Sequence, residues 1–241
     1  MDSSIPLEIM DDHPILNERF DYDRIEREQW DALLAEGWRH CNIRFFRHSL
    51  DFNPAGDTLK VLPLRIRLDG FKLTKSQRKV MRKNSDLRCF VHPVVLDEAK
   101  YVLFEQHKQR FSFHVPPSLH VFISEQTPHQ TPCDGYEIDV FKDDRLIACS
   151  FFDVGYVSSS GTYAMFDLNE SERSLGVFTM IIEILYAVKT GKRFYYPGYA
   201  HAQSSFYDYK KKFNNLEAFD WKGNWKSLGT MDEVRSTRDE R

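Results

Sequence analysis

"GYEIDVFKDDRLIACSFFDV", residues 135–154, is the stretch on which the fold turns. It reads as two strands, each a run of apolar and aromatic residues, around a four-residue polar turn, Lys142–Arg145. Downstream, "GYVSSSGTYAMF" (155–166) is a third strand, and "LNESERSLGVFTMIIEILYAVKTG" (168–191) is a helix closed by Gly191. "KRFYYPGYAH" (192–201) is a further strand, and a second helix is expected from Ser204 to Asn214.

Strand, hairpin, strand, helix, strand, helix is the order found in the second half of an N-acetyltransferase-like (GNAT) fold. The expected class is therefore α/β (α+β): a mixed, mostly antiparallel sheet flanked by helices, with a smaller N-terminal region. Upstream, "RIEREQWDALLAE" (24–36) has helical spacing and Gly37 as its stop, and "WRHCNIRFFRHSL" (38–50) reads as one strand. "DFNPAGD" is a turn, "LKVLPLRIRLDGF" (59–71) a half-exposed strand, "LRCFVHPVVL" (87–96) a strand and "LDEAKYVLFEQHKQRF" (96–111) a helix. Four of the ten prolines lie in 112–134, the best candidate boundary. The expected organisation is an acidic arm (1–22), an N-terminal region (23–111), a proline-rich connection (112–134), the GNAT-like half (135–230) and a charged tail (231–241).

A chain of 241 residues, 41% hydrophobic and 14% aromatic, can bury a sizeable core. The longest apolar run, Val177–Val188, is broken by Glu183 and too short to span a bilayer, so no membrane partner is expected. The N-terminus lacks the basic stretch of a signal peptide. Four cysteines without a C-x-x-C pair fit a reducing cytoplasm, and the nine histidines show no ligand spacing, so no metal is expected.

Charge is unevenly spread. The whole chain carries −3, and its first 36 residues hold eleven acids against three arginines. From Arg65 to Arg88, however, nine Lys/Arg face two acids. Thr74 can cap a helix with Gln77 at the capping-box position. At about 100° per residue, Lys75, Arg78, Lys79, Arg82 and Lys83 then share one face, with Gln77, Val80, Met81 and Asn84 opposite. With no interleaved acids the cations repel one another unless a polyanion neutralises them, and a nucleic acid fits the stripe. The bland reading is a solvated helix face.

Two further motifs carry chemistry. Arg173, Ser174, Leu175 and Gly176 stand where a polar loop enters a helix, whose free N–H groups can hold an anion. Coenzyme-A-dependent GNAT enzymes read R/Q-x-x-G-x-G/A here; Arg173 and Gly176 match, but Phe178 would obstruct a pyrophosphate. Pro197–Gly198 interrupts a strand, marking a bulge or splay where backbone faces a ligand, with Tyr196, Tyr199 and His201 as the polar aromatics beside it. Glu137, Asp139, Asp153 and Asp167 lie on or beside strands as candidate bases, while Ser158–Ser160 lack a nucleophile context.

"GWRHCNIRFFR", "PLRI", "SQRKVMRKNSDL", "RLIACSFFDV", "RSLG", "YYPGY" and "YKKKFNNLEAF" occur in one order and resemble the aminoacyl-tRNA–protein transferases of the N-degron pathway, above all the bacterial leucyl branch. The resemblance covers roughly residues 30–226. It implies an aminoacyltransferase moving Leu or Arg from charged tRNA to the α-amine of a protein or peptide, one beginning with Asp or Glu. The basic helix and Lys210 would grip tRNA; Arg173, Ser174, Leu175, Gly176, Tyr196 and Gly198 would bind substrate. Arg173 would hold the terminal phosphate or ribose, and amides near Leu175 and Gly176 the oxyanion. Tyr199 and His201 would assist the leaving hydroxyl, with Glu137 or Asp139 as base. Two departures stand out. The family's cysteine cluster after "FFR" is missing, which implies no metal cofactor. Phe206 and Tyr207 replace the usual lysine and methionine. A coenzyme-A-dependent N-acyltransferase and a catalytically silent tRNA-binding protein are the rival readings.

Overall fold

The computed structural model describes residues 14–112 and 115–228. Residues 1–13 of the expected arm and the whole expected tail, 231–241, lie outside that range. The N-terminal region begins with β1 (Asn17–Asp21), α1 (Arg27–Ala35), β2 (Arg39–Cys41), β3 (Arg44–His48), β4 (Leu50–Phe52) and β5 (Thr58–Arg67). The basic helix α2 (Lys75–Lys83), β6 (Arg88–Pro93) and α3 (Glu98–His107) follow. Then come β7 (Gly135–Lys142), β8 (Arg145–Val154), β9 (Ser158–Phe166), α4 (Leu175–Lys189), β10 (Phe194–His201), β11 (Leu216–Phe219) and β12 (Trp225–Ser227).

Nine strands make one sheet in the order β12-β11-β5-β10-β9-β8-β7-β6, with β4 added to β5; β1, β3 and β2 form a small second sheet. Among the described residues, the strand pairings are antiparallel except β9–β10. This is the mixed, mostly antiparallel sheet flanked by helices that element order predicts.

Helix α4 packs on one face, its Ile181 and Ile184 against Leu64, Ile66 and Leu216, and its Leu175 and Phe178 against Ile138 and Phe152. Helix α2 lies beside α4, with Val80 and Met81 touching both groups. The other face carries α3, whose Leu103 and Phe104 meet Phe151 and Met165, and α1, whose Trp30 and Leu34 meet Phe45 and Tyr196.

Several expectations change. The single strand read over 38–50 is broken into short ones, first between β2 and β3, where Asn42 takes a left-handed turn (φ 52°) that Asn tolerates better than most residues, and again at Ser49. Strand β1 pairs with β3, so the arm is structured from Asn17. The turn between β7 and β8 is two residues long: Lys142 pairs with Arg145 across Asp143, which has φ 54°. The segment 206–212 forms 3-10 turns rather than an α-helix. The proline-rich stretch does not separate two folding units, since β5 and β6 belong to the large sheet and Leu119 and Ile123 enter the core beside Leu103.

Candidate active site

Strands β9 and β10 stay paired for three residues, Phe194 with Ser158 through Tyr196 with Ser160. Pro197 then has no N–H to offer, and Gly198 adopts φ +93°, a conformation open to glycine. Beyond this bulge β10 follows β5, as far as His201 opposite Val61, while β9 follows β8, as far as Phe166 opposite Ala148. The strands diverge and a V-shaped gap opens in the sheet.

Polar side chains from three elements converge there. Arg39 of β2 donates to the Ser160 hydroxyl and to the Gly161 carbonyl on β9. Lys210 Nζ, from the turn after β10, donates to the Tyr199 carbonyl at 3.0 Å. A Cβ on Gly198 would stand 3.3 Å from Lys210 Nζ and 3.7 Å from an Arg39 guanidinium nitrogen. From α4, Glu183 accepts the Tyr195 hydroxyl at 2.6 Å; a Cβ on Gly161 would stand 2.8 Å from both Glu183 Oε2 and the Tyr195 hydroxyl. The two glycines thus leave this cluster room that any other residue would fill.

The environment moves these groups toward neutral pH. Burial raises Glu183 to about 7 despite the Tyr195 hydrogen bond. Burial, with Arg39 beside it, lowers Lys210 to about 7. Both groups can therefore change charge near pH 7.

Helix α2 spans the open end of the V. Gln77 Nε2 donates to the Lys212 carbonyl at 3.2 Å on the β10 side, and Asn84 Nδ2 to the Arg173 carbonyl at 2.9 Å on the β9 side. The capping box read from sequence is present: Thr74 Oγ1 accepts from Gln77 N, and Gln77 Oε1 from Thr74 N. Gln77 and Asn84 are buried, while Lys75, Arg78, Lys79, Arg82 and Lys83 are all exposed. Among the described residues, Lys75, Lys79 and Arg82 pair with no carboxylate. Near the same end Phe206 is 67% exposed, with the Arg110 guanidinium 4.9 Å from its ring centre.

Other expected site residues are engaged elsewhere. Glu137 and Asp139 stand on β7, three strand spacings (about 14 Å) from β10. Lys100 Nζ lies 2.9 Å from Glu137 and 3.2 Å from Asp139, and His92 lies 3.3 Å from each. Burial and the Asp139 charge raise Glu137 to about 7, but the structure gives this pair a buried lysine rather than a place in the gap. The Tyr199 hydroxyl is spent on the Gly37 carbonyl at 2.6 Å, so its carbonyl, not its hydroxyl, faces the gap. His201 Nε2 lies 3.3 Å from Asp51, and its buried Nδ1 has no hydrogen-bond partner among the described residues. Tyr196 is buried in the core near Trp225.

Arg173 grips Asp86 with two bonds of 2.9 Å and Glu170 with one of 2.8 Å, tying α4 to the end of α2. Ser174 takes a left-handed conformation (φ 55°), the Leu175 side chain is buried, and Gly176 lies against Phe166. Lys210 leaves the exposed cationic set altogether, because it turns inward to Gly198. Arg39 and Glu183 are the residues that sequence reading missed. Glu183 had a signal, as the lone charge in the apolar run 177–188; Arg39 had none.

Two groups have metal-ligand proximity. His40, Cys133 and Asp153 offer donor atoms within 4.8 Å of one another, as do His92, Glu137 and Asp139. Each already has internal partners: His40 Nε2 bonds Asp153 at 2.7 Å and Thr162 bonds the same oxygen at 2.8 Å, while Lys100 occupies the second group. Burial drives the Cys133 thiol well above its ordinary range.

Residues 99–220 match the family model described as arginine-tRNA-protein transferase, C terminus. The chain is 27% identical over 212 residues to an aspartate/glutamate leucyltransferase of Marinobacter nauticus, covering 86% of this chain and 85% of that protein. It is 30% identical over 171 residues to the protein of the same name from Acinetobacter baumannii, covering 69% of this chain and 62% of that one. Among solved structures, FemX aligns at 11% identity with a TM-score of 0.45, covering 79% of this chain and 65% of that one. A fungal GCN5-related glucosamine N-acetyltransferase region aligns at 13% with the same score, covering 80% of this chain and 22% of that one.

Proposed function

This chain belongs to the arginine-tRNA-protein transferase family, and from that premise we propose that it moves an aminoacyl group, leucine first among candidates, from charged tRNA to the α-amine of a polypeptide beginning with Asp or Glu. The observation that carries this reading is the β9–β10 gap, lined by Arg39, Glu183 and Lys210, beneath a helix whose exposed cations have no acidic partner among the described residues. The stripe on α2 supplies sequence-independent phosphate contacts to the acceptor arm. Exposed Phe206 under Arg110 offers a stacking face for an unpaired terminal base. The first-turn N–H groups at Leu175 and Gly176 suit the terminal phosphate, since Arg173 is tied to Asp86.

The aminoacyl ester is already activated, so the protein has to position the amine and move one proton. The acceptor nitrogen attacks the ester carbonyl carbon in the gap beside Gly161. Glu183, about half ionised at pH 7, takes the amine proton as the carboxylate, directly or through the Tyr195 hydroxyl. As the carbon–oxygen bond to the ribose breaks and the amide forms, the same proton passes to the ribose oxygen. Glu183 takes the part first expected of Glu137 or Asp139.

The direct test incubates the protein with separately radiolabelled aminoacyl-tRNAs and peptides beginning with Asp, Glu, Arg or Lys. Label from leucyl-tRNA entering the Asp and Glu peptides is the expected result; charged tRNA bound in a salt-sensitive way with no label transferred would leave only a tRNA-binding protein. Coenzyme A binding in calorimetry without any response to tRNA would favour the N-acyltransferase reading.

A further inference from the structure

The transfer chemistry accounts for Glu183 and the basic helix but leaves two cations unexplained. Arg39 and Lys210 come from different elements, are both half-buried, and meet at the bare face of Gly198. Other enclosed cations in this molecule have close carboxylates: Lys100 has Glu137 and Asp139, Arg65 has Glu217 at 2.6 Å, and Arg173 has Asp86. Arg39 and Lys210 have none within ion-pair distance among the described residues. Their contacts are a hydroxyl, two carbonyls and the Tyr207 ring, 4.8 Å from Lys210 Nζ. Three protons sit on the Lys210 ammonium and one bond to the Tyr199 carbonyl uses one of them. Two like charges withdrawn from water beside each other are costly unless an anion joins them.

Resting on the transferase reading, we propose that Arg39 and Lys210 form the subsite that seats the side-chain carboxylate of the acceptor's first residue. Place favours this occupant over a tRNA phosphate. The position lies at the strand break rather than on the exposed stripe, and the absence of a side chain on Gly198 is what lets both cations come together there. It also adjoins Glu183, where the acceptor amine loses its proton, and an Asp or Glu at the N-terminus carries its carboxylate within one side-chain length of that amine. Arg39 can present a planar donor edge, and Lys210 a point charge that reaches either acid.

Two measurements on the full chain test the subsite. Equilibrium binding compares peptides that differ only in a first residue of Asp or Asn, and the transfer assay determines KM for each peptide and for leucyl-tRNA. The wild type should prefer Asp by roughly tenfold to a hundredfold, and Lys210→Gln should bring the two peptides within a few-fold of each other, with KM for leucyl-tRNA unchanged. Arg39→Lys, which keeps the charge but not the fork, should fall between; thermal melts of both variants identify any that fail to fold. If leucyl-tRNA KM rises in Lys210→Gln while the Asp-to-Asn ratio persists, the cations serve a tRNA phosphate and the proposal falls. Transfer by the wild type to Asp and Asn peptides alike would overturn the subsite while leaving the transferase reading intact. Lys210-dependent preference for Asp in binding, without any transfer, would uphold the subsite and sink the transferase. No preference in either measurement overturns it.

Discussion

A buried ionisable side chain is informative when its environment holds it near neutrality, and Glu183 and Lys210 both meet that condition by opposite routes. For Glu183 the folded pKa, about 7, exceeds the ordinary carboxylate value. Its contribution to stability is therefore fully present below about 4.5 and lost as pH rises through 7. Glu183→Gln should leave the melting temperature at pH 8 unchanged or higher, while lowering kcat roughly a hundredfold with little change in either KM. Single-turnover transfer alongside thermal melts at pH 6 and 8 checks both halves; a Gln variant with full kcat would remove Glu183 from the chemistry. Lys210 runs the other way. Its folded pKa is depressed, so its stability contribution is present above about 10.5 and lost as pH falls through 7, where the protonated form is needed to hold an anion. The groups facing it are Arg39 from β2, Glu183 from α4, the Tyr199 carbonyl and Tyr207. Binding of an Asp-first peptide should accordingly weaken from pH 6.5 to 8.5 and be accompanied by proton uptake, measurable by calorimetry in buffers of different ionisation enthalpy. Sequence reading found the Glu183 anomaly without its partner, because Tyr195 meets it only across the α4–β10 packing. It placed Lys210 among the surface cations, because three consecutive lysines, 210–212, look alike until a turn sends one inward.

Periodicity makes α2 legible in the sequence. Its cap, its stripe and its inward-facing positions all follow from the spacing between Thr74 and Asn84, although the carbonyls that Gln77 and Asn84 reach are distant in sequence. Strand β10 was legible only as a place of interruption: Pro197 and Gly198 announce a bulge, but which neighbour is lost depends on β5 and β9, brought there by the rest of the chain. Pro197–Gly198 also separates two effects that mutation can resolve. Gly198→Ala must hold an L-residue at φ +93° with its Cβ 3.3 Å from Lys210 Nζ, so it should cost about 1–3 kcal/mol of stability and weaken binding of Asp-first peptides. Denaturant melts and peptide titrations read the two separately. For α2 the expectation concerns electrostatics. Lys79→Glu with Arg82→Glu removes two cations that have no acidic partner among the described residues and should leave the fold intact. Affinity for tRNA should fall, and the slope of log K against log salt should become shallower by about 1.5. Filter binding from low to moderate salt decides the matter: an unchanged slope would show that the stripe does not touch phosphates.

At the scale of the whole molecule, the expected division at 112–134 failed for a reason that bears on stability. Composition marks where a chain bends, not where a core ends. Strand β5, from before the proline-rich stretch, lies between β10 and β11 from after it, and its Leu64 and Ile66 face Ile181 and Ile184 of α4. Strand β6 closes the far edge against β7 over six residue pairs. A piece beginning at residue 112 would thus expose the β10 edge, lose the partner of β11 and leave one side of α4 without its apolar cover. It would lose Arg39 and α2 as well, so neither the gap nor its open end would be complete. The 112–228 fragment should therefore show no cooperative thermal transition and no dispersed amide spectrum. The full chain should unfold once, with the far-ultraviolet signal and tryptophan fluorescence moving together. Two separated transitions in the full chain, or a folded fragment, would mean that the halves are independent and that the catalytic gap is assembled by docking rather than by the sheet itself.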